Sequence, residues 1–232
     1  MDNRRRMLLA GGVSADPVLE NNDWETISAI ARAGKAAEFW NIGDIKNITV
    51  GGVTYTVRII GFDHDDVTDA ASYGRAKAGI TFELTEIRVK GIVHSSYPMS
   101  GGWGSCRLRN TTLPNYFNSL AMDLQNVIIP VNKPYALNSG SILNASDKLF
   151  LLSEYEISGK NSYGNAKEGI RYDYYAAGNS SIKKYNGTNS YYWTRTAADT
   201  NIYYFVVHKN TNQSYNRAYV DSSYGVAFAF CV

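Results

Sequence analysis

Cysteine is scarce in this chain: Cys106 and Cys231 are the two present in 232 residues. Two are too few for a disulfide scaffold or a zinc site, and their separation gives no support for a pair, so a buried free thiol is the commoner fate. Histidine is also sparse, with His64, His94 and His208 far apart, and no His-Glu or Cys-His spacing of a metal motif occurs. An excess of one charge is lacking too. The 23 Lys and Arg nearly balance the 21 Asp and Glu, leaving +2, so there is no electrostatic case for nucleic acid, which needs a basic stripe. Only Arg4-Arg5-Arg6 cluster, and Met7-Leu8-Leu9-Ala10 behind them is too short for the apolar core of a secretory signal. No stretch approaches the roughly 18 apolar residues of a membrane span. The expectations are no cofactor, no metal, no nucleic-acid partner and no membrane insertion.

What is present suffices for a core, since 44% of residues are hydrophobic and 19% charged. The length fits one large domain or two small ones. Asp23 reads as the N-cap of an amphipathic helix carrying Trp24, Ile27, Ile30 and Ala31, with Gly34 as its stop. Ile45 to Val50, the Gly51-Gly52 turn and Val53 to Ile60 read as a hairpin. Gly79 to Val93 reads as a further strand pair, Tyr116 to Ile129 as a helix through Phe117, Leu120, Leu124 and Val127, and Leu149 to Ile157 as a buried strand. Residues 158–190 are rich in Gly, Asn and Ser and read as long irregular loops. Short strands follow around Tyr191–Arg195, Tyr203–Val207 and Val226–Val232. No internal repeat occurs. The expected class is α+β with antiparallel hairpins, few helices and long loops.

The last forty residues carry the functional signal. Thirteen of the 18 tyrosines lie from Tyr155 onward, and the run between Tyr192-Trp193-Thr194-Arg195 and Gly225-Val226-Ala227-Phe228-Ala229-Phe230 is dominated by Tyr, Asn, Ser, Thr, Asp and Ala. Tyrosine offers large rigid contact area, while Ser, Thr and Asn offer adaptable hydrogen bonds, the chemistry of recognition loops. An ordinary Asn- and Tyr-rich β-region has the same composition. A scaffold that tolerates changing surface residues keeps its apolar anchors outside the changing set; Trp193, Phe205, Val207, Val226, Phe228 and Phe230 fit that role, and alternation would send Tyr204, Val206 and His208 to the other face.

Several pieces occur in a fixed order: Trp24-Glu25, Ala33-Gly34-Lys35-Ala36-Ala37, Trp40-Asn41-Ile42-Gly43-Asp44, Ile59-Ile60-Gly61-Phe62-Asp63-His64, Gly101-Gly102-Trp103 and Leu151-Leu152-Ser153-Glu154. Tyr172-Asp173-Tyr174-Tyr175 with Gly178-Asn179 and the two frame pieces above complete the series. The series resembles C-type-lectin-like domains of the formylglycine-generating-enzyme type found in gut bacteria and their phages, many of them variable proteins of diversity-generating retroelements. The resemblance implies a lectin-like domain over residues 21–232 with a variable region about 191–224, preceded by an N-terminal tail, 1–20, that is disordered or attaches to a virion structural protein. It implies a hypervariable binding protein on a phage tail or extracellular surface, used for host adhesion, with a protein or glycan on a bacterial surface as ligand. The alternative is a constant lectin-like structural or glycan-binding module. Adenine mutagenesis of AAC-type codons never yields Lys, Glu, Gln, Met or Trp, and from Ala197 to Tyr224 only Lys209 and Gln213 fall outside that set. The expected ligand-binding residues are Asp199, Thr200, Asn201, Tyr203, Tyr204, His208, Asn210, Asn212, Tyr215, Asn216, Tyr219, Asp221, Ser222 and Tyr224.

Catalysis is not expected. Calcium-dependent lectins use a Glu-Pro-Asn loop and a Trp-Asn-Asp motif, and neither occurs here. Asp63, Asp65 and Asp66 read as a solvated turn because the spacing of an oxygen-ligand loop is missing. For Asp63 and His64 a structural hydrogen bond is the default. The related formylglycine-generating enzymes need paired cysteines, which Cys106 and Cys231 do not match, and no serine nucleophile elbow is present. Glu154 and Glu156 would share one face of a strand without an evident acid-base environment. Trp24, Trp40, Trp103 and Trp193 read as core aromatics.

Overall fold

The computed structural model of the chain describes residues 15–87, 89–95, 101–137, 139–198, 212 and 215–232, together with the backbone alone of 203–207. Among the described residues there are eight short α-helices: α1 Trp24–Arg32, α2 Ala36–Phe39, α3 Ala70–Tyr73, α4 Gly102–Ser105, α5 Leu113–Asn118, α6 Met122–Val127, α7 Glu154–Ser158 and α8 Asp173–Ala176. A π-helical turn, Leu108–Thr112, leads directly into α5. The first seven strands are β1 Ile45–Val50, β2 Val53–Phe62, β3 Ile80–Leu84, β4 Val89–Gly91, β5 Val131–Ala136, β6 Ile142–Asp147 and β7 Leu149–Phe150. The last seven are β8 Lys183–Tyr185, β9 Thr188–Ser190, β10 Tyr192–Ala197, β11 Tyr203–Val207, β12 Tyr215–Tyr219, β13 Tyr224–Val226 and β14 Ala229–Cys231. The fold is α+β, as expected.

Two five-stranded sheets organise the chain. One runs β1-β2-β3-β14-β7, the other β12-β11-β10-β13-β4, and β5-β6 and β8-β9 are separate hairpins. The β1-β2 turn is closed by Gly51 and Gly52 at φ of 57° and 80°; two successive left-handed residues suit the twist of a two-residue hairpin. β13 and β14 are separated only by Ala227-Phe228, both buried, yet they lie in different sheets. The expected single strand Val226–Val232 is therefore two, and the end of the chain stitches the sheets together. The expected strand pair in 79–93 is corrected likewise, because β3 pairs with β2 and β14 while β4 pairs with β13.

The core forms where local pattern and burial agree. Asp23 caps α1 by accepting from Thr26 N at 2.7 Å, and Trp24, Ile27, Ile30 and Ala31 point inward. Trp24 meets Phe82 edge-on at 5.3 Å, and Phe82 stacks on Phe230 at 5.4 Å. All four tryptophans are buried. Residues 15–20, from the segment expected as a tail, also pack on the domain: Leu19 is buried, and Trp40 Nε1 donates to Asp16 O.

Two further expectations are corrected by hydrogen bonding. The helix expected over 116–129 breaks between α5 and α6, because Gly51 N donates to Ser119 O and Ala121 N to Thr49 O, tying that backbone to the β1 hairpin. The strand expected over 149–157 ends at Phe150. Ser153 and Glu156 then form a reciprocal capping box, each side chain accepting the other's backbone N–H at 3.0 Å, and this starts α7. The region expected as loops, 158–190, also holds α8 and the β8-β9 hairpin.

Candidate recognition surface

β10 is the base on which the tyrosine-rich region is mounted. It pairs with β11 on one side and β13 on the other, and Tyr192 to Thr196 are buried. Trp193 Nε1 donates to Gly91 O at 2.7 Å, and Trp193 meets the Tyr224 ring edge-on at 5.2 Å.

Arg195 is the hub beneath. Its guanidinium donates to Pro134 O and Leu151 O at 3.0 Å, to both carboxylate oxygens of Glu156, and to Glu168 O. Glu156 also takes a bond from Lys133 Nζ at 2.7 Å, and Lys133 bonds Asp65 at 2.6 Å. The Tyr172 and Thr81 hydroxyls both donate to Asp65, and His64 stacks on the Tyr172 ring at 3.9 Å. Burial opposes ionisation of Asp65 and Glu156, yet Lys133 beside Asp65, and Arg195 and Lys133 beside Glu156, hold both carboxyls below their usual range. The same burial pushes the Tyr172 hydroxyl and the Cys231 thiol upward.

Two sequence expectations fail here. Asp65 is not in a solvated turn but inside an ion network, because Lys133 on β5 reaches it from a position 68 residues away. His64 bonds the Ile170 carbonyl and Asp63 bonds Arg75, so each makes a structural hydrogen bond, though not to the other. Glu154 and Glu156 lie on a helix, not on a strand, and both are buried.

A second layer ties β10 to the segment after α7. Glu168 accepts from Ala136 N at 2.9 Å and from Thr196 Oγ1 at 2.7 Å, and burial pushes its carboxyl up to about 7. Thr196 Oγ1 accepts from Glu154 N, and the Glu154 carboxylate accepts from the backbone N–H groups of Ser162, Tyr163 and Gly164. A Cβ at Gly164 would sit 2.2 Å from Thr196 Cγ2, so the close approach requires glycine. On the neighbouring side Glu83 takes Lys183 at 3.0 Å and the Tyr175 hydroxyl at 2.7 Å, and burial pushes the Lys183 amine down to about 8. Among the described residues, Arg58 Nε is the buried side-chain polar atom left without a hydrogen bond, and no group of three or more His, Cys, Asp or Glu is arranged to hold a metal. Cys106 and Cys231 are buried free thiols. This chemistry is inward-facing: the charges bind one another.

The expected contact residues are described only in part. Asp199, Thr200, Asn201, His208 and Asn210 lie outside the described residues; Tyr203 and Tyr204 are placed by backbone alone, opposite Tyr219 and Ala218. Tyr219, Asp221 and Ser222 come together at the turn after β12, where Ser222 N donates to Tyr219 O. Tyr219 is 52% exposed, and Asn216 and Asp221 are exposed as well. Alternation along β12 puts Asn216 on the face opposite Tyr215 and Tyr219. Half-buried Tyr215 reaches the Glu154 carbonyl, and exposed Asn212 accepts from Ser181 N and Oγ through Oδ1. Tyr224 is half-buried beside Tyr191 and Trp193. The register also regroups the anchors: Trp193 stands opposite Val206, and Tyr192 opposite Val207.

Two residues belong with this surface although sequence patterning passed over them. Exposed Arg217 on β12 holds its guanidinium 5.1 Å from the centre of the Tyr163 ring. Its place between Asn216 and Tyr219 was a usable signal; that of Tyr163 was not, because only the fold of the loop after α7 returns it to β12.

Comparison with known proteins gives one family. The model described as a domain of unknown function, DUF6273, matches residues 79–232, from the residue before β3 to the end of the chain. No curated protein and no solved structure matches. With the larger part of its length covered, including β13 of one sheet and β14 of the other, the chain belongs to the DUF6273 family.

Proposed function

We propose that this domain is a ligand-binding protein of C-type-lectin-like type, acting by recognition and not by catalysis, with the region about 191–224 as its contact surface. The observation that carries the proposal is the contrast between neighbouring strands of one sheet. β10 is buried from Tyr192 to Thr196 and anchored by Arg195, whereas β12, at the sheet edge, buries only Ala218 of its five residues. The base owes its geometry to groups beneath it, so exposed residues can change without loss of the frame. Rigid support lowers the entropy lost on binding, and tyrosines beside adaptable polar groups supply contacts.

The ligand class is a protein or glycan of a bacterial surface, and the setting a phage tail or an extracellular surface, with diversification by a retroelement. The genomic locus tests the diversification. A nearby reverse-transcriptase gene and template repeat, with copies differing at adenines in the codons for 197–224, is the expected result. An invariant region with no template repeat would overturn diversification and leave the constant lectin-like module.

A further inference from the structure

A cleft is lined by none of the residues of the tyrosine-rich surface. Its accessible volume is about 310 Å³, and it lies between the π-helical turn with α5 on one side and the junction of β6 and β7 on the other. That volume is at the lower end of the range of about 300–1,000 Å³ typical of small-molecule sites. Leu113, Pro114, Phe117 and Leu149 supply apolar lining. π-helical turns are rare and often accompany functional sites; here the turn presents Arg109 and Asn110 at the rim.

The charges of the cleft are unequally committed. Asp147 is buried, with one oxygen bonded by Trp103 Nε1 at 2.7 Å and the other by Arg109 Nε at 2.6 Å. Arg109 is further held by the carbonyls of Gly104 and Ser146 and by Asn110 Oδ1. This pair neutralises itself and fixes one wall. Lys148 is different: its ammonium sits 4.5 Å from the centre of the Phe117 ring, with no hydrogen-bond or ion-pair partner among the described residues. The side-chain amide of Asn118, at the same rim, is also unengaged among them. The lining therefore carries a cation without a counter-ion, an open amide and an apolar floor.

We propose that this cleft binds a small amphipathic carboxylate, its apolar body on Leu113, Pro114 and Phe117 and its carboxylate on Lys148 and the Asn118 amide. The site is independent of the recognition surface and does not rest on the function proposed for it. Isotope-labelled protein titrated with phenylacetate, and separately with neutral 2-phenylethanol, tests it by NMR. Phenylacetate should shift the resonances of Leu113, Phe117, Asn118 and Lys148 and bind roughly tenfold more tightly than the alcohol, the scale of one charge-assisted hydrogen bond. Lys148→Gln, at an exposed position, should remove that preference while leaving the weak binding of the alcohol. Shifts scattered outside the cleft, no saturable shifts with either probe, equal affinity for the two, or an unchanged preference in Lys148→Gln would each overturn the proposal.

Discussion

Arg195 illustrates how much of this domain rests on single buried charges. Its guanidinium joins β10 to three carbonyls and to Glu156, and removing one partner of a buried ion pair leaves the other uncompensated. Arg195→Ala should therefore lower the unfolding free energy by about 3–5 kcal/mol in denaturant titration; a loss within the scatter of surface substitutions would show that the network is dispensable. Glu168 gives a pH signature. Its folded carboxyl titrates at about 7, above the ordinary value of 4.5. Between those values the unfolded chain has lost the proton and the folded chain keeps it, so this group's contribution falls as pH rises from about 4.5 to 7 and is flat beyond. Glu168→Gln should abolish that decline, on the order of 3 kcal/mol. Parallel stability-pH curves for the two proteins over this window would contradict the assignment. The depressed carboxyls of Asp65 and Glu156 act oppositely, losing their contribution only as pH falls below the ordinary carboxylate range.

At the scale of elements, α7 depends on the Ser153-Glu156 capping box. Ser153→Ala should cost about 0.5–2 kcal/mol, and the effect should reach the 160–164 segment, since Glu154 collects its backbone N–H groups there. Faster amide exchange at Ser162 to Gly164 in the variant would register this; unchanged exchange would mean that α7 and the segment are not coupled. The same helix marks where sequence patterning stopped being sufficient. The α1 cap at Asp23 and the hairpin at Gly51-Gly52 are set by residues within a few positions, and both were legible. The Ser-x-x-Glu box was equally local, but the apolar run Leu149 to Leu152 in front of it favoured a strand. The break at Ser119 to Ala121 was not legible, because its cause is a distant hairpin. Asp65, Lys133 and Glu156 were hidden for the same reason: scattered along the chain, they meet only when β5 and α7 are packed. For the surface, residue types pointed to Tyr219 and Asp221, while Tyr163 and the opposed faces of Tyr215 and Asn216 needed the register.

For the whole molecule, Ala227-Phe228 links β13 in one sheet to β14 in the other, buried charge pairs tie loops to strands, and among the described residues no group of three or more His, Cys, Asp or Glu is arranged to hold a metal. Asp65, Glu156 and Glu168 are each bonded by protein donors, and Glu154 by three backbone N–H groups. EDTA should leave the thermal midpoint unmoved; a clear fall would reveal a bound ion that stabilises the native state. The description of a fixed frame carrying a changeable surface makes one demand above the others. A variant with Asn216, Tyr219 and Asp221 all replaced by alanine should unfold at nearly the midpoint of the parent, since all three side chains are exposed and exposed substitutions usually stay within about ±0.5 kcal/mol each, yet lose adhesion to a panel of intact bacterial cells that the parent binds. Retained adhesion in this variant, or a collapse of its midpoint, would contradict the account.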